Sequence, residues 1–105
     1  MKQLSNDSSL ADYQQLIRQL IIERGYDKET ISEVFTLLVE EVGELAKAIR
    51  KVNGQKIGDH SKQHEIAEEA ADVFWLLIDL CNRLDVNLAQ AFRDKEIINQ
   101  SRNYK

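Results

Sequence analysis

Apolar residues recur at helical spacing in separate segments of the chain, with polar residues between them. The first predicted helix begins near Ser8 or Ser9 and ends near Gly25, because glycine is a common residue just after a helix. The second begins with the capping-box pattern of residues 30–33, Thr-Ile-Ser-Glu, and ends at Gly54. The inner positions are Leu10, Tyr13, Ile17 and Leu20 in the first helix, and Ile31, Val34, Phe35, Leu38, Val42, Leu45, Ile49 and Val52 in the second.

The second half of the chain predicts two further helices. The polar stretch NGQKIGDHSKQ contains two glycines and predicts a loop, after which Ser61 is a candidate cap for a helix over about 62–84. Asn87 begins a fourth helix that continues to about Arg102. Residues 1–7 are expected to be loosely ordered. The pattern therefore predicts one all-α domain over residues 1–105, similar to a four-helix bundle.

The third predicted helix is apolar in almost every direction. Its inner stripe comprises Ile66, Ala70, Val73, Leu77, Leu80, Cys81 and Leu84, and further apolar surface comes from Phe74, Trp75, Leu76 and Ile78. A helix of this kind must be covered on most sides, which three short neighbours would not achieve. The sequence therefore predicts a homodimer or homotetramer that buries the remainder.

Composition and charge narrow the class of protein. A formal net charge of −4 argues against a general affinity for nucleic acid or for an anionic membrane. The single cysteine, Cys81, permits no internal disulfide and falls on an apolar stripe, so we expect it in the core. No apolar signal segment opens the sequence, and the longest apolar run, VFWLLI, is too short to span a bilayer. These features predict a cytoplasmic protein.

Carboxylates interrupt the apolar pattern of the second predicted helix, in the stretch LVEEVGELAKAIRK. At about 100° per residue, Glu41 lies nearest to the apolar stripe, Glu44 borders it one turn later, and Glu40 lies furthest out. On the third helix one stripe, adjoining the apolar one, comprises Glu65, Glu69, Asp72, Leu76 and Asp79. If the two helices pack antiparallel, these two acidic sets face each other.

Two interpretations of these carboxylates remain open from spacing alone. Glu41 and Glu44 could confront Glu69 and Asp72 at a half-buried seam, where unpaired ions cost several kcal/mol each unless protons or cations compensate. A set of oxygen ligands of this kind suits a hard ion such as Mg²⁺ or Mn²⁺. Alternatively, Glu44 pairs with Lys47 on an ordinary solvated helix face.

Other side chains with possible chemistry give weaker signals. Trp75 lies one turn beyond Asp72 and either stacks on a nucleotide base or fills a subunit interface, and its apolar helix favours the interface. His60 and His64 are spaced for a metal, but His60 falls in or beside the predicted loop, which argues against that role.

The ordered set EEVGEL, EEAAD and DVNLAQAFRDKEIINQSRNY resembles the MazG-type nucleotide pyrophosphohydrolases of the all-α NTP pyrophosphatase superfamily, over about residues 10–104. The first two stretches match the family pattern E-E-x-x-E … E-x-x-D. The resemblance implies that Mg²⁺, or Mn²⁺, is held by Glu41, Glu44, Glu69 and Asp72. It also implies catalytic roles for Glu40 and Glu41.

The same resemblance implies a reaction and the residues that would contact the substrate. A nucleoside triphosphate would be hydrolysed between its α and β phosphates, giving a nucleoside monophosphate and pyrophosphate. Lys95, Asn99 and Arg102 would contact the phosphates. The positive charges of Lys95 and Arg102 would also interact favourably with the dipole at the C-terminal end of the helix. Two alternatives remain: a phosphoribosyl-ATP pyrophosphohydrolase, and a non-catalytic helical dimerisation or regulatory module that has kept a metal site.

Overall fold

The residues that the structure describes form four helices. A computed structural model describes residues 3–52 and 60–102, with side chains from residue 64 onward in the third helix. Its elements are α1 (Leu10–Glu23), α2 (Ile31–Val52), α3 (His60–Arg83) and α4 (Leu88–Ser101), so the all-α prediction is confirmed. None of the helices in the described ranges is both long and apolar enough to cross a membrane.

The predicted caps of three helices are confirmed. Ser9 caps α1 in a reciprocal capping box with Asp12, at distances of 2.9 and 3.1 Å. The same box joins Thr30 and Glu33 at the start of α2, and the hydrogen bonds lower the pKa of the Glu33 carboxyl. Asn87 accepts a hydrogen bond from the Gln90 backbone and caps α4.

A glycine ends α1, whereas the start of α3 differs from the prediction. Gly25 has a φ of +76°, the left-handed conformation in which glycine ends α1 at low cost. The prediction that Ser61 caps α3 is wrong, because α3 already begins at His60. The first turn of α3 consists of polar residues, so no periodic pattern of apolar residues marks where the helix begins. The Gly54 end of the second helix and the first part of the predicted loop lie outside the described residues.

The helices α2 and α3 form an antiparallel pair with α1 on the other side of α3. Lys51, near the end of α2, pairs with Glu65 at the start of α3 at 3.1 Å, whereas Arg83 at the end of α3 reaches the backbone just before α2. On its α1 side, α3 buries Ile78 completely against Ile17 and Ile21. Cys81 is also buried, which confirms its place in the core, and burial raises the pKa of its thiol.

A polar network fixes the turn from α3 to α4. The buried Gln14 side chain donates to the Asn82 side chain and to the Val86 carbonyl, both at 2.9 Å, and accepts from the Leu88 backbone at 3.0 Å. Asn82 donates back to the Gln14 carbonyl. The turn contains Asp85 at φ 57°, and this network satisfies its buried polar groups. As a result α4 is anchored against α1.

The inner stripe predicted for α3 is partly wrong. Leu77 and Leu84 were expected inside but are 37% and 51% exposed, whereas Ile78 is 0% exposed. The difference arises because α3 is covered on two sides, by α1 and α2, and each side takes a different set of residues. Apolar side chains on the remaining side of the α2–α3 pair are open to solvent.

We call this open surface the apolar face. It consists of Ile31, Phe35, Val42 and Ile49 of α2 together with Phe74, Leu77 and Leu84 of α3, all exposed. The prediction that these four α2 residues are inner positions is therefore wrong for the single chain. Helix geometry puts the α2 members about 90° around the helix from the residues that contact α3. Because the helices are antiparallel, both sets lie on one side of the pair.

Candidate metal centre

Three carboxylates meet where the middle of α2 crosses α3. Glu41 comes from α2, and Glu69 and Asp72 come from adjacent turns of α3. One oxygen from each lies within 4.8 Å of the others. This meeting follows from the antiparallel packing, which brings the centre of α2 beside the first half of α3.

The environment of this carboxylate group suits a divalent cation. Oε2 of Glu69 is buried and has no hydrogen-bond partner among the described residues. Such an atom needs either a proton or a cation beside it. In an octahedral Mg²⁺ site, ligand oxygens about 2.1 Å from the ion are about 3–4 Å apart. The three oxygens therefore need only a small closure to bind Mg²⁺ together.

The pKa of Glu41 is raised above its ordinary value of 4.5. Partial burial is the main cause because it disfavours the charged carboxylate. A hydrogen-bonding contact with the Glu69 carboxyl and the negative charges of Asp72, Glu69 and Glu44 act in the same direction. Protons and metal ions therefore compete for this group of oxygens.

A consequence for stability follows from the direction of the pKa shift. A carboxyl whose pKa is raised on folding stabilises the fold below its unfolded pKa, and that contribution is lost as the pH rises through the folded pKa. In EDTA, Glu41→Gln is therefore expected to raise Tm relative to wild type by a few degrees at pH 7.5 and by little at pH 4. Thermal unfolding across this pH range measures the difference.

The neighbouring variant Glu40→Gln provides a matched control for that measurement. Glu40 is exposed and lies outside the three-carboxylate group. Its substitution is expected not to produce a gain in Tm that grows with pH. A pH-independent difference for Glu41→Gln would contradict the raised pKa of the Glu41 carboxyl.

The other predicted acidic residues are less closely placed. Glu44 is exposed and is not in the group of three, although its charge contributes to the raised pKa of Glu41. The structure thus brings together three of the four predicted metal ligands. The ligand role of Glu44 and the catalytic role of Glu40 stay predictions. His64 is exposed and contacts Glu68 at 2.9 Å, away from this group.

An open cavity of about 380 Å³ adjoins the carboxylates. Its lining residues are Tyr26, Glu29, Leu37, Glu41, Asp72, Trp75 and Leu76. Trp75 is half-buried, packs against the core cluster of α1 and α3 with one part of its surface, and lines the cavity with another. The lining of the cavity thus includes two carboxylates of the three-residue group and the Trp75 ring.

Sequence reasoning did not place the segment between α1 and α2 at this site. Tyr26 is 46% exposed and lines the cavity together with Glu29. No periodic pattern covers this connection, so only the packing of α1 and α2 on α3 reveals its position.

The predicted phosphate contacts on α4 lie elsewhere in the chain. Lys95, Asn99 and Arg102 belong to the last turns of α4 or its C-terminal cap, and α4 packs mainly on α1. None of the three lines the cavity as the described residues form it. The structure of one chain therefore does not bring them to the carboxylates.

A comparison with protein families identifies the class of this domain. The family described as the MazG nucleotide pyrophosphohydrolase domain matches residues 29–99, about two thirds of the chain. The chain belongs to the MazG family. The matched region includes all of α2 and α3 and most of α4, and therefore all three clustered carboxylates. A comparison with curated proteins gave no match.

Membership of the MazG family agrees with the geometry of the acidic group. Members are nucleotide pyrophosphohydrolases that generally use a divalent metal ion. The Glu41, Glu69 and Asp72 oxygens are the matching feature of this chain, as an all-oxygen donor set with one buried unpartnered atom.

Proposed function

We propose that the protein hydrolyses a nucleoside triphosphate to the monophosphate and pyrophosphate in a reaction that requires Mg²⁺, or Mn²⁺ in its place. The supporting observation is the position of Glu41 and Asp72, which belong to the carboxylate group and also line the cavity. Canonical or modified ribo- and deoxyribonucleoside triphosphates are the proposed substrate class. The free thiol of Cys81 suits a reducing compartment, and we place the reaction in the cytoplasm.

The chain's own residues divide the work between binding and proton transfer. Glu41, Glu69 and Asp72 would hold the metal ion, with Glu44 as a fourth ligand from the next turn of α2. Mg²⁺ bound there would neutralise phosphate oxygens and lower the pKa of a water molecule. Glu41 is the proposed acceptor of that water's proton because it lines the cavity beside the carboxylate group. Glu40 is close enough in sequence to assist by orienting the water.

The cavity orients the rest of the substrate. Trp75 and Tyr26 offer aromatic surface for a nucleotide base, and Leu37 and Leu76 add apolar contact. Hydrolysis between the α and β phosphates requires that the base and sugar occupy one end of the site while the triphosphate lies over the carboxylates. The placement of Glu41 and Asp72 in the cavity wall supports that orientation.

We also propose that the working protein is a homo-oligomer, with a second copy on the apolar face. The Cα radius of gyration is 16.5 Å, whereas a compact domain of this length has about 13 Å. The accessible surface is 7958 Å², whereas a monomer of 12.1 kDa has about 6,000 Å².

The accessible surface in excess of that of a compact monomer matches the area that each protomer of an obligate homodimer buries. Interfaces of that class remove about 1,000–2,500 Å² from each protomer, and the surplus here is about 1,900 Å². The apolar face is continuous across two helices and opposite to the side on which the carboxylates open, so a second copy can cover it without closing the cavity. Both a dimer and a homotetramer formed from such dimers would bury the apolar face.

In an oligomer, the residues of α4 that were predicted to contact the phosphates can act on another copy of the chain. Lys95, Asn99 and Arg102 do not line the cavity of their own chain as far as the described residues show. We propose that they contact the phosphates of a substrate held by another copy in a homotetramer, one other than the copy that covers the apolar face.

A panel of triphosphates tests the proposed reaction. Purified protein with Mg²⁺ is expected to release pyrophosphate from at least one canonical or modified nucleoside triphosphate, and EDTA is expected to stop the release. Activity confined to phosphoribosyl-ATP would replace the proposed substrate class. Absence of pyrophosphate release from every compound, with metal binding intact, would support a non-catalytic module and contradict the proposal.

A further inference from the structure

Arg83, the last residue of α3, connects a buried carboxylate to the segment between α1 and α2. Its Nε donates to Oδ1 of Asp79 at 2.8 Å, and the two side chains are only 13% and 3% exposed. Its Nη2 donates to the Tyr26 carbonyl at 2.7 Å, and its Nη1 donates to the Glu29 carbonyl. One guanidinium group thus contacts three oxygens on two parts of the chain.

The segment held in this way is a wall of the cavity. Tyr26 and Glu29 both line it, together with Glu41 of α2 and Asp72 of α3. Within the segment, the Glu29 backbone donates to the Tyr26 carbonyl at 3.2 Å, so both anchored carbonyls belong to one turn. The position of this turn relative to α3 is therefore set by Arg83.

The ends of the same segment have independent support. Gly25 closes α1, with the Tyr26 backbone donating to the Ile21 carbonyl at 2.9 Å, and the Thr30–Glu33 capping box opens α2. Loss of the Arg83 contacts should therefore shift the wall and leave the helices in place. Asp79 orients the guanidinium through the charge-assisted bond to Nε, with which the two carbonyl bonds are compatible.

We propose that Arg83, oriented by Asp79, is a positioning residue that sets the affinity of the cavity for the base and sugar of the nucleotide. It acts through the Tyr26–Glu29 turn and does not touch the phosphates or the carboxylate group. This inference rests on the proposed function, since it assigns the cavity to a nucleotide. It separates the residues that select the nucleoside from those that perform hydrolysis.

The variant Arg83→Lys tests this role because lysine keeps the charge beside Asp79 but has no planar fork for two carbonyls. It is expected to raise KM for the best triphosphate of the panel about tenfold and to change kcat by less than about twofold. Amide hydrogen exchange within residues 26–29 is expected to accelerate. Inorganic triphosphate, which lacks a base and sugar, is expected to inhibit both proteins equally.

Trp75, the only tryptophan in the chain, provides a binding signal that does not depend on turnover. Titration with the nucleoside monophosphate product, monitored by its fluorescence, is expected to show about tenfold weaker binding to Arg83→Lys. The control Arg93→Lys makes the same substitution on the exposed surface of α4, where Arg93 contacts Gln90, and is expected to match wild type in every measurement.

The outcomes separate this inference from the proposed reaction. Unchanged KM, monophosphate affinity and exchange in Arg83→Lys would overturn the role of Arg83 even if the wild-type protein is an active hydrolase. A fall in kcat at constant KM would also overturn it, since that result assigns Arg83 to the chemical step. Wild-type protein that binds the monophosphate but releases no pyrophosphate would overturn the reaction, while the affinities and exchange rates still decide the role of Arg83.

Discussion

Replacing Glu69 with glutamine is expected to lower kcat/KM for the best triphosphate at least about 100-fold, since metal-ion catalysis supplies several kcal/mol of transition-state stabilisation. Glu69 contributes the buried oxygen that has no partner in the described residues, at the point where α2 and α3 meet. An amide at this position removes a negative ligand but preserves shape. Asp72→Asn is expected to act in the same direction for the same reason.

The adjacent residue provides a control for this substitution. Glu68 is exposed and contacts His64, so Glu68→Gln makes the same chemical change one position away from the carboxylate group. It is expected to keep activity within about twofold of wild type. Circular dichroism and Tm identify any loss of folding, which is not expected because Glu69→Gln relieves repulsion. Full activity of Glu69→Gln in folded protein would refute its role as a metal ligand.

The substitution Ile49→Asp is expected to dissociate the assembly and to raise its dissociation constant at least about 100-fold. Ile49 is half-exposed in the isolated chain and belongs to the apolar face. In the proposed oligomer it is buried, where an unpaired carboxylate costs several kcal/mol. Sedimentation equilibrium is expected to show a multiple of the 12.1 kDa protomer for wild type and the protomer mass for the variant.

The matched control is Ile22→Asp on α1. Both isoleucines are exposed and lie in the last turn of a helix, so an aspartate has the same unfavourable interaction with the helix dipole at each. Ile22 is outside the apolar face, and its variant is expected to keep the wild-type mass. A wild-type protein that sediments as a protomer, or two variants that behave alike, would contradict the proposed interface.

The helices were predictable from the sequence because their ends carry local chemistry. Ser9 with Asp12 and Thr30 with Glu33 form capping boxes that depend only on residues three positions apart. The start of α3 was misplaced because its first turn is polar and has no such signal near Ser61. Local patterns therefore predict an element well where its boundary has its own hydrogen bonds.

The sequence predicted the part of the candidate site that depends only on which face of its helix each residue occupies. The directions of Glu41, Glu69 and Asp72 required only helical periodicity and antiparallel packing, and the structure brings them together. The inner side of α3 was assigned only partly correctly, since Ile78 is buried because α1 occupies a second side of that helix. Periodicity gives the residues on each side of a helix but does not identify which neighbour covers each side.

The cavity wall could not be predicted in this way. Tyr26 and Glu29 belong to a short connection, and Arg83, which holds them, lies 54 residues from Glu29. Contacts of this length depend on the complete arrangement of α1, α2 and α3. The same reason explains why the sequence alone does not show that Lys95 and Asn99 lie away from the cavity of their own chain.

Anomalous diffraction from a crystal soaked in Mn²⁺ decides the claim that Glu41, Glu69 and Asp72 together bind one divalent cation. The predicted result is a manganese peak about 2.0–2.2 Å from a carboxylate oxygen of each of the three residues. The peak should be absent in crystals of Glu69→Gln. No peak among these residues at saturating Mn²⁺, with their carboxylates turned to solvent, would contradict the claim.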